Sequence, residues 1–303
     1  TGGTVMFEGD PGVVGSFSVP KRTLMASDGV TAWQVAPTSL GIVWNCQQMQ
    51  YYNNKMYFTV AGTGAGQDEL WASDGTNAGT TMVLSGFKGP AGIRDYWIID
   101  GKIYLSAQTL FTALQLWVAD LDGSNLTQLT TNELLIPGFW GGWGPPPPPE
   151  VRGCEPTSLS KVGNKLVFLG IDNDFVDNDM DGVYDPTLGD VATSVWYQPW
   201  ETDGTPAGTK LIKTLTPEGP SFVEGVALEA GLVFGYTTPV YGSELFVSNG
   251  FPGGTGILKD LIPGAIGSGP NSLAKLSERI AGFQYGFDTF TGSEFWITNG
   301  TVN

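Results

Sequence analysis

ELWASDGTNAGT, residues 69–80, decides how the rest of this chain is read. An apolar and aromatic pair runs into Asp-Gly, and a small polar restart follows. The same phrase returns as TLMASDGVT (23–31), LWVADLDGS (116–124), WYQPWETDGTPAGT (196–209), ELFVSNGFPGGT (244–255) and EFWITNGT (294–301). Asp-Gly and Asn-Gly between apolar runs mark two-residue hairpin turns, because the turn needs φ > 0, which Gly and Asn/Asp tolerate. The turn glycines are Gly29, Gly75, Gly123, Gly204, Gly250 and Gly300, so the spacing is 46–50 residues except for one long interval of 81.

Between the turn phrases lie a Pro-x-Ser-Leu-like start (37–40, 156–159 and 270–273) and a β-rich run such as KMYFTV, KIYLSA or KLVFLG. Each unit therefore carries about four short strands, and no segment has sustained helical period. The chain reads as all-β, and four-stranded units at this period predict a β-propeller. Six blades are expected, with five or seven as alternatives, in one domain spanning 1–303. GGTVMFEGDPGVVGS (2–16) resembles GGTGILKDLIPGAIGS (253–268), so N- and C-terminal strands are expected to close one blade together and remove exposed edges.

ELWASDGTNAGT, LIPGAIGSGPNSL and GSELFVSNG together resemble the ELWxxDGT-repeat proteins, a family of secreted or surface-associated bacterial arrays. The resemblance implies a propeller and a secreted or cell-surface location, with an export signal already removed. It brings no catalytic residues with it.

Composition narrows the chemistry. Histidine is absent, which excludes Ser-His-Asp catalysis and His-ligated metal from this chain alone. A net charge of −16 opposes nucleic acid and anionic lipid and favours divalent cations. No apolar run is long enough to insert in a membrane. The two cysteines, Cys46 and Cys154, read as one disulfide in a secreted chain.

The long interval points to an insertion, 140–190. WGGWGPPPPPEVRGCE (140–155) places Trp140 and Trp143 before five prolines, Pro145 to Pro149, a polyproline rod of roughly 15 Å and a candidate partner-binding element. IDNDFVDNDMDGVYDPTLGD (171–190) alternates Asp177, Asp179 and Asp181 before Gly182, with Asp185 at the ninth position from Asp177. This pattern resembles the calcium loops of EF-hands and thrombospondin type 3 repeats, with Leu188 standing where an EF-hand has its bidentate Glu. Structural Ca²⁺ is expected there, held by Asp177, Asp179, Asp181, the Val183 carbonyl and Asp185, with Asp190, Asp172 or Asp174 completing the shell.

These features predict a non-enzymatic extracellular binding or assembly module, acting on a surface protein or a glycan. A carboxylate-dependent glycoside hydrolase or lyase is one alternative, with Asp95 and Glu224 as candidate carboxylates and Arg94 beside them. A Ca²⁺-dependent lectin is the other. Glu69, Glu244 and Glu294 recur at one repeat position, which predicts a structural task for them.

Overall fold

The computed structural model describes residues 4–9, 23–35, 46–61, 67–88, 92–136, 150–172, 174–176, 191–194, 196–216, 225–288 and 292–302. The chain is all-β there, with one short 3-10 turn, Pro252–Gly254. It divides into two compact units, residues 1–112 with 117–126, and residues 113–116 with 127–303.

Six main sheets follow one another along the sequence. Four have four strands: Cys46–Tyr52 to Thr81–Lys88, Ile93–Ile99 to Thr127–Gln128, Thr157–Val162 to Lys210–Leu211, and Gly225–Leu228 to Thr255–Lys259. Two have three: Val5–Gly9, Thr23–Ser27 and Ala32–Gln34 at one end, Asn271–Ser277, Ile280–Asp288 and Gly292–Thr298 at the other. Strands pair in chain order as antiparallel meanders. The turn phrase always lies at the end of the same strand, the one that the β-rich run precedes. Val5–Gly9 pairs with Thr23–Ser27, in register Val5↔Ser27 to Gly9↔Thr23. The expected blade shared by strands from both ends is therefore not formed among the described residues. The likeness of 2–16 to 253–268 misled because local sequence does not choose which neighbour a strand pairs with.

Residues 140–190 do not form one excursion. Thr157–Val162 and Lys165–Ile171, inside that range, are the first two strands of a regular sheet. The extra length is two separate hairpins, Leu134–Ile136 with Glu150–Arg152 and Asp174–Val176 with Val191–Ser194.

Middle strands are buried on both faces, so they read as continuous apolar runs. Lys165–Ile171 (KLVFLGI) and Gly231–Thr238 (GLVFGYTT) are nearly fully buried. In the first unit Tyr57, Leu70, Leu84, Phe87, Tyr96 and Leu105 form one cluster, and Phe87 meets Trp117 edge to face at 5.8 Å. In the second, Val167, Leu169, Leu232, Phe234, Tyr236 and Phe246 form another. Each such side chain contributes about 1.5–3 kcal/mol on burial.

Candidate functional site

The repeated turn is a hydrogen-bonded cage. The Asp or Asn side chain accepts the N–H two residues on in all six copies: Val30 to Asp28, Thr76 to Asp74, Ser124 to Asp122, Thr205 to Asp203, Phe251 to Asn249 and Thr301 to Asn299, at 2.9–3.1 Å. In five copies the preceding Ser or Thr hydroxyl accepts the turn glycine's N–H, as Ser73 does from Gly75 and Thr202 from Gly204. Those glycines sit at φ between +74° and +92°, where a side chain would strain the backbone.

In the longer copies the closing Thr joins the opening hydroxyl: Ser73 to Thr80, Thr202 to Thr209, and Ser248 to Thr255. The second glycine of these copies, Gly79, Gly208 or Gly254, lies against the turn carboxyl or amide. A Cβ there would come within 2.0–2.1 Å of Asp74, Asp203 or Asn249. The Thr76 and Thr205 hydroxyls, with backbone N–H groups second, hold the Asp74 and Asp203 carboxyls below the usual carboxylate range.

A second recurring device lies two residues before the aromatic of three phrases. Gln115 donates to the Asn132 carbonyl and accepts from the Thr130 hydroxyl. Gln198 donates to the Leu215 carbonyl and accepts the Leu215 N–H. Glu244, fully buried, accepts N–H groups of Leu261, Ile262 and Ser268 and the Ser268 hydroxyl. Each latches its strand to the connection that leads to the next sheet. Burial pushes the Glu244 carboxyl above its ordinary value, against the hydrogen bonds that pull it down. Glu69 instead accepts the Trp71 indole N–H. The sequence reading gave Glu69 and Glu244 a structural task but missed Gln115 and Gln198, whose signal is the same place before an aromatic.

The other candidates are placed as follows. Asp177, Asp179, Asp181, Val183, Asp185 and Asp190 lie outside the described residues, as do Trp140, Trp143, Pro145, Pro149 and Glu224. Among the described residues no group of three or more acidic or cysteine side chains is placed to hold a metal. Cys154 is a free, buried thiol, so the expected Cys46–Cys154 disulfide is corrected. Its Sγ lies in the core beside Gly170, and burial pushes the thiol far up, which makes it a packing group. Cys46 begins the Cys46–Tyr52 strand, and its side chain lies outside the described ones.

Asp95 stands on Ile93–Ile99, an edge strand of its sheet, half-buried and opposite Ser106. Its carboxyl accepts the Tyr96 N–H at 2.8 Å, and burial raises it despite the neighbouring Arg94 charge. Among the described residues of the second unit are cavities of about 450 and 630 Å³; the latter is lined by Lys213, Thr216, Tyr241, Phe246 and Ile257 among others.

No family model matches the chain, and no curated protein matches it. Among solved structures it is similar to the β-propeller domain of the Trilobed protease from Pyrococcus furiosus, which is described as having an open velcro topology. The TM-score is 0.50 at 11% identity, covering 100% of this chain and 82% of that one. It is also similar to a puromycin hydrolase (TM-score 0.48, 13% identity, 88% of this chain and 38% of that one). An oligogalacturonate lyase in complex with manganese follows at TM-score 0.47 and 12% identity, covering 92% and 72%. The chain thus spans well under half of the hydrolase. The first likeness establishes a β-propeller fold. The expectation of a non-enzymatic extracellular module is corrected, because the propeller matched over the whole of this chain is a domain of a protease.

Proposed function

We propose that this chain is an enzyme-related propeller domain that receives peptide substrate for a catalytic centre carried by another domain or chain. The observation behind this reading is the end-to-end likeness to a protease's propeller domain. The fate of the polar residues agrees with it. Repeat carboxylates and amides are occupied by turn cages and latches, and the chain has no histidine from which to build a peptidase triad. In this reading the six main sheets act as blades, and the acidic loop at 177–190 takes Ca²⁺ as a structural tie.

The test is to offer the isolated chain a chromogenic peptide and an oligogalacturonate, following turnover by absorbance and binding by tryptophan fluorescence. Saturable binding of the peptide without turnover is expected. Absence of peptide binding contradicts the reading. So does oligogalacturonate turnover that is lost in Asp95→Asn, which would place chemistry on this chain.

A further inference from the structure

The residue directly after the closing Thr of the turn phrase decides how much room lies beside it. Thr81 follows Thr80 and faces Ala72, Lys210 follows Thr209 and faces Glu201, and Gly256 follows Thr255 and faces Val247. Two sheets therefore carry a side chain at this register and the third carries none. Ala72, Thr81 and Met82 line a cavity of about 260 Å³ in the first unit. Their counterparts Val247, Gly256 and Ile257 line the cavity of about 630 Å³ in the second. Nothing lies within 4 Å of a Cβ built on Gly256, so the space that Thr81 occupies in one sheet is open in the other.

The two cavities also differ in charge. Asp122 lines the smaller one beside Lys55. The described lining of the larger one contains no carboxylate, and its one charged group is Lys213. The Lys213 Nζ donates to the Thr255 carbonyl at 2.8 Å, which holds the ammonium at the cavity and leaves two of its three donors for another acceptor. Lys102, Lys165, Lys210 and Lys275 each pair with a carboxylate, whereas among the described residues none pairs with Lys213. Around it stand Pro239, Val240, Tyr241, Phe246 and Ile257. Apolar and aromatic walls with one placed polar group, at this volume, are the make-up of a small-ligand site.

We propose that this cavity binds a carboxylate borne beside an apolar group, as at the C-terminal residue of a peptide, with Lys213 on the carboxylate and the Tyr241 and Phe246 wall around the apolar group. A cation without a carboxylate partner in a chain of net charge −16 fixes the sign of the ligand. The apolar wall fixes its other half, because the hydroxyls of a sugar acid would lie unpaired against it. The choice of a peptide rests on the peptide-receiving reading above.

The test is isothermal titration calorimetry on the intact chain with a tripeptide ending in Phe, as the free acid and as the C-terminal amide, and with 3-phenylpropionate. The free acid is expected to bind, with the amide weaker by about tenfold, the loss of one charged hydrogen bond. 3-Phenylpropionate, too small to fill the cavity, should bind more weakly than the tripeptide acid. Lys213→Met should erase the preference for acid over amide. Gly256→Leu fills the cavity from a position with free space, so it should abolish binding of both with an unchanged melt; Gly256→Val replaces it if it melts early. Acid and amide bound equally by the parent, or peptide binding that survives Gly256→Leu, overturns the proposal and leaves the peptide-receiving reading in place. 3-Phenylpropionate bound as tightly as the tripeptide overturns the assignment to a peptide. A parent that binds no peptide overturns both.

Discussion

At the scale of single residues, the second glycine of the turn phrase is set by contact rather than by backbone conformation. Gly208 has no unusual φ, yet a Cβ on it would lie 2.0 Å from an oxygen of Asp203, the group that receives the Thr205 N–H. Gly208→Ala must push that carboxyl out of the cage or shift the backbone, and overpacking of this kind costs about 1–3 kcal/mol. Gly253→Ala is the control, because nothing lies within 4 Å of its Cβ position. Urea unfolding of both variants should place Gly208→Ala clearly below the parent and Gly253→Ala level with it. Equal stability of the two would mean that the cage does not hold its glycine. The phrase D-G-T-x-x-G-T could be read from sequence as a hairpin through its first glycine. The reason for the second became visible only once the carboxyl was placed.

At the scale of elements, the latch ties a strand to the connection beyond its neighbour. Glu244 does with a carboxylate what Gln115 and Gln198 do with an amide, so Glu244→Gln should hold the connection at Leu261–Ser268. Glu244→Ala strands three buried N–H groups and should cost about 2–4 kcal/mol. The pH dependence has a definite sign. The folded carboxyl sits above its ordinary value of 4.5, so its stabilisation is complete below that value and is lost as pH rises through the folded pKa. The parent should therefore lose stability over that window relative to Glu244→Gln, measured as the difference in melting temperature against pH. A difference that stays flat would mean that burial does not disfavour the charged form.

Sequence showed these elements unevenly. Strands next to turn phrases were legible because the turn fixes their ends. The pairing of Val5–Gly9 was not, because a five-residue apolar strand accepts more than one neighbour and only the assembled sheet chooses. The extra length between Gly123 and Gly204 was legible as length. Its division into two hairpins around Thr157–Ile171 was not, because the Pro- and Asp-rich stretches on either side outweighed a short ordinary strand pair between them.

At the scale of the whole molecule, the account makes the chain an array of similar sheets, each with a buried second strand. The central claim is tested most directly by hydrogen exchange on the intact chain, followed peptide by peptide. Opening free energy is highest where a strand is paired on both edges and buried on both faces. Exchange should therefore be slowest in Lys55–Ala61, Lys102–Ala107, Lys165–Ile171, Gly231–Thr238 and Ile280–Asp288, one maximum in each of five sheets, with much faster exchange in Gly292–Thr298. Protection that recurs at the repeat spacing is the predicted result; one continuous protected block, or protection centred on the turn phrases instead of these strands, would contradict the account.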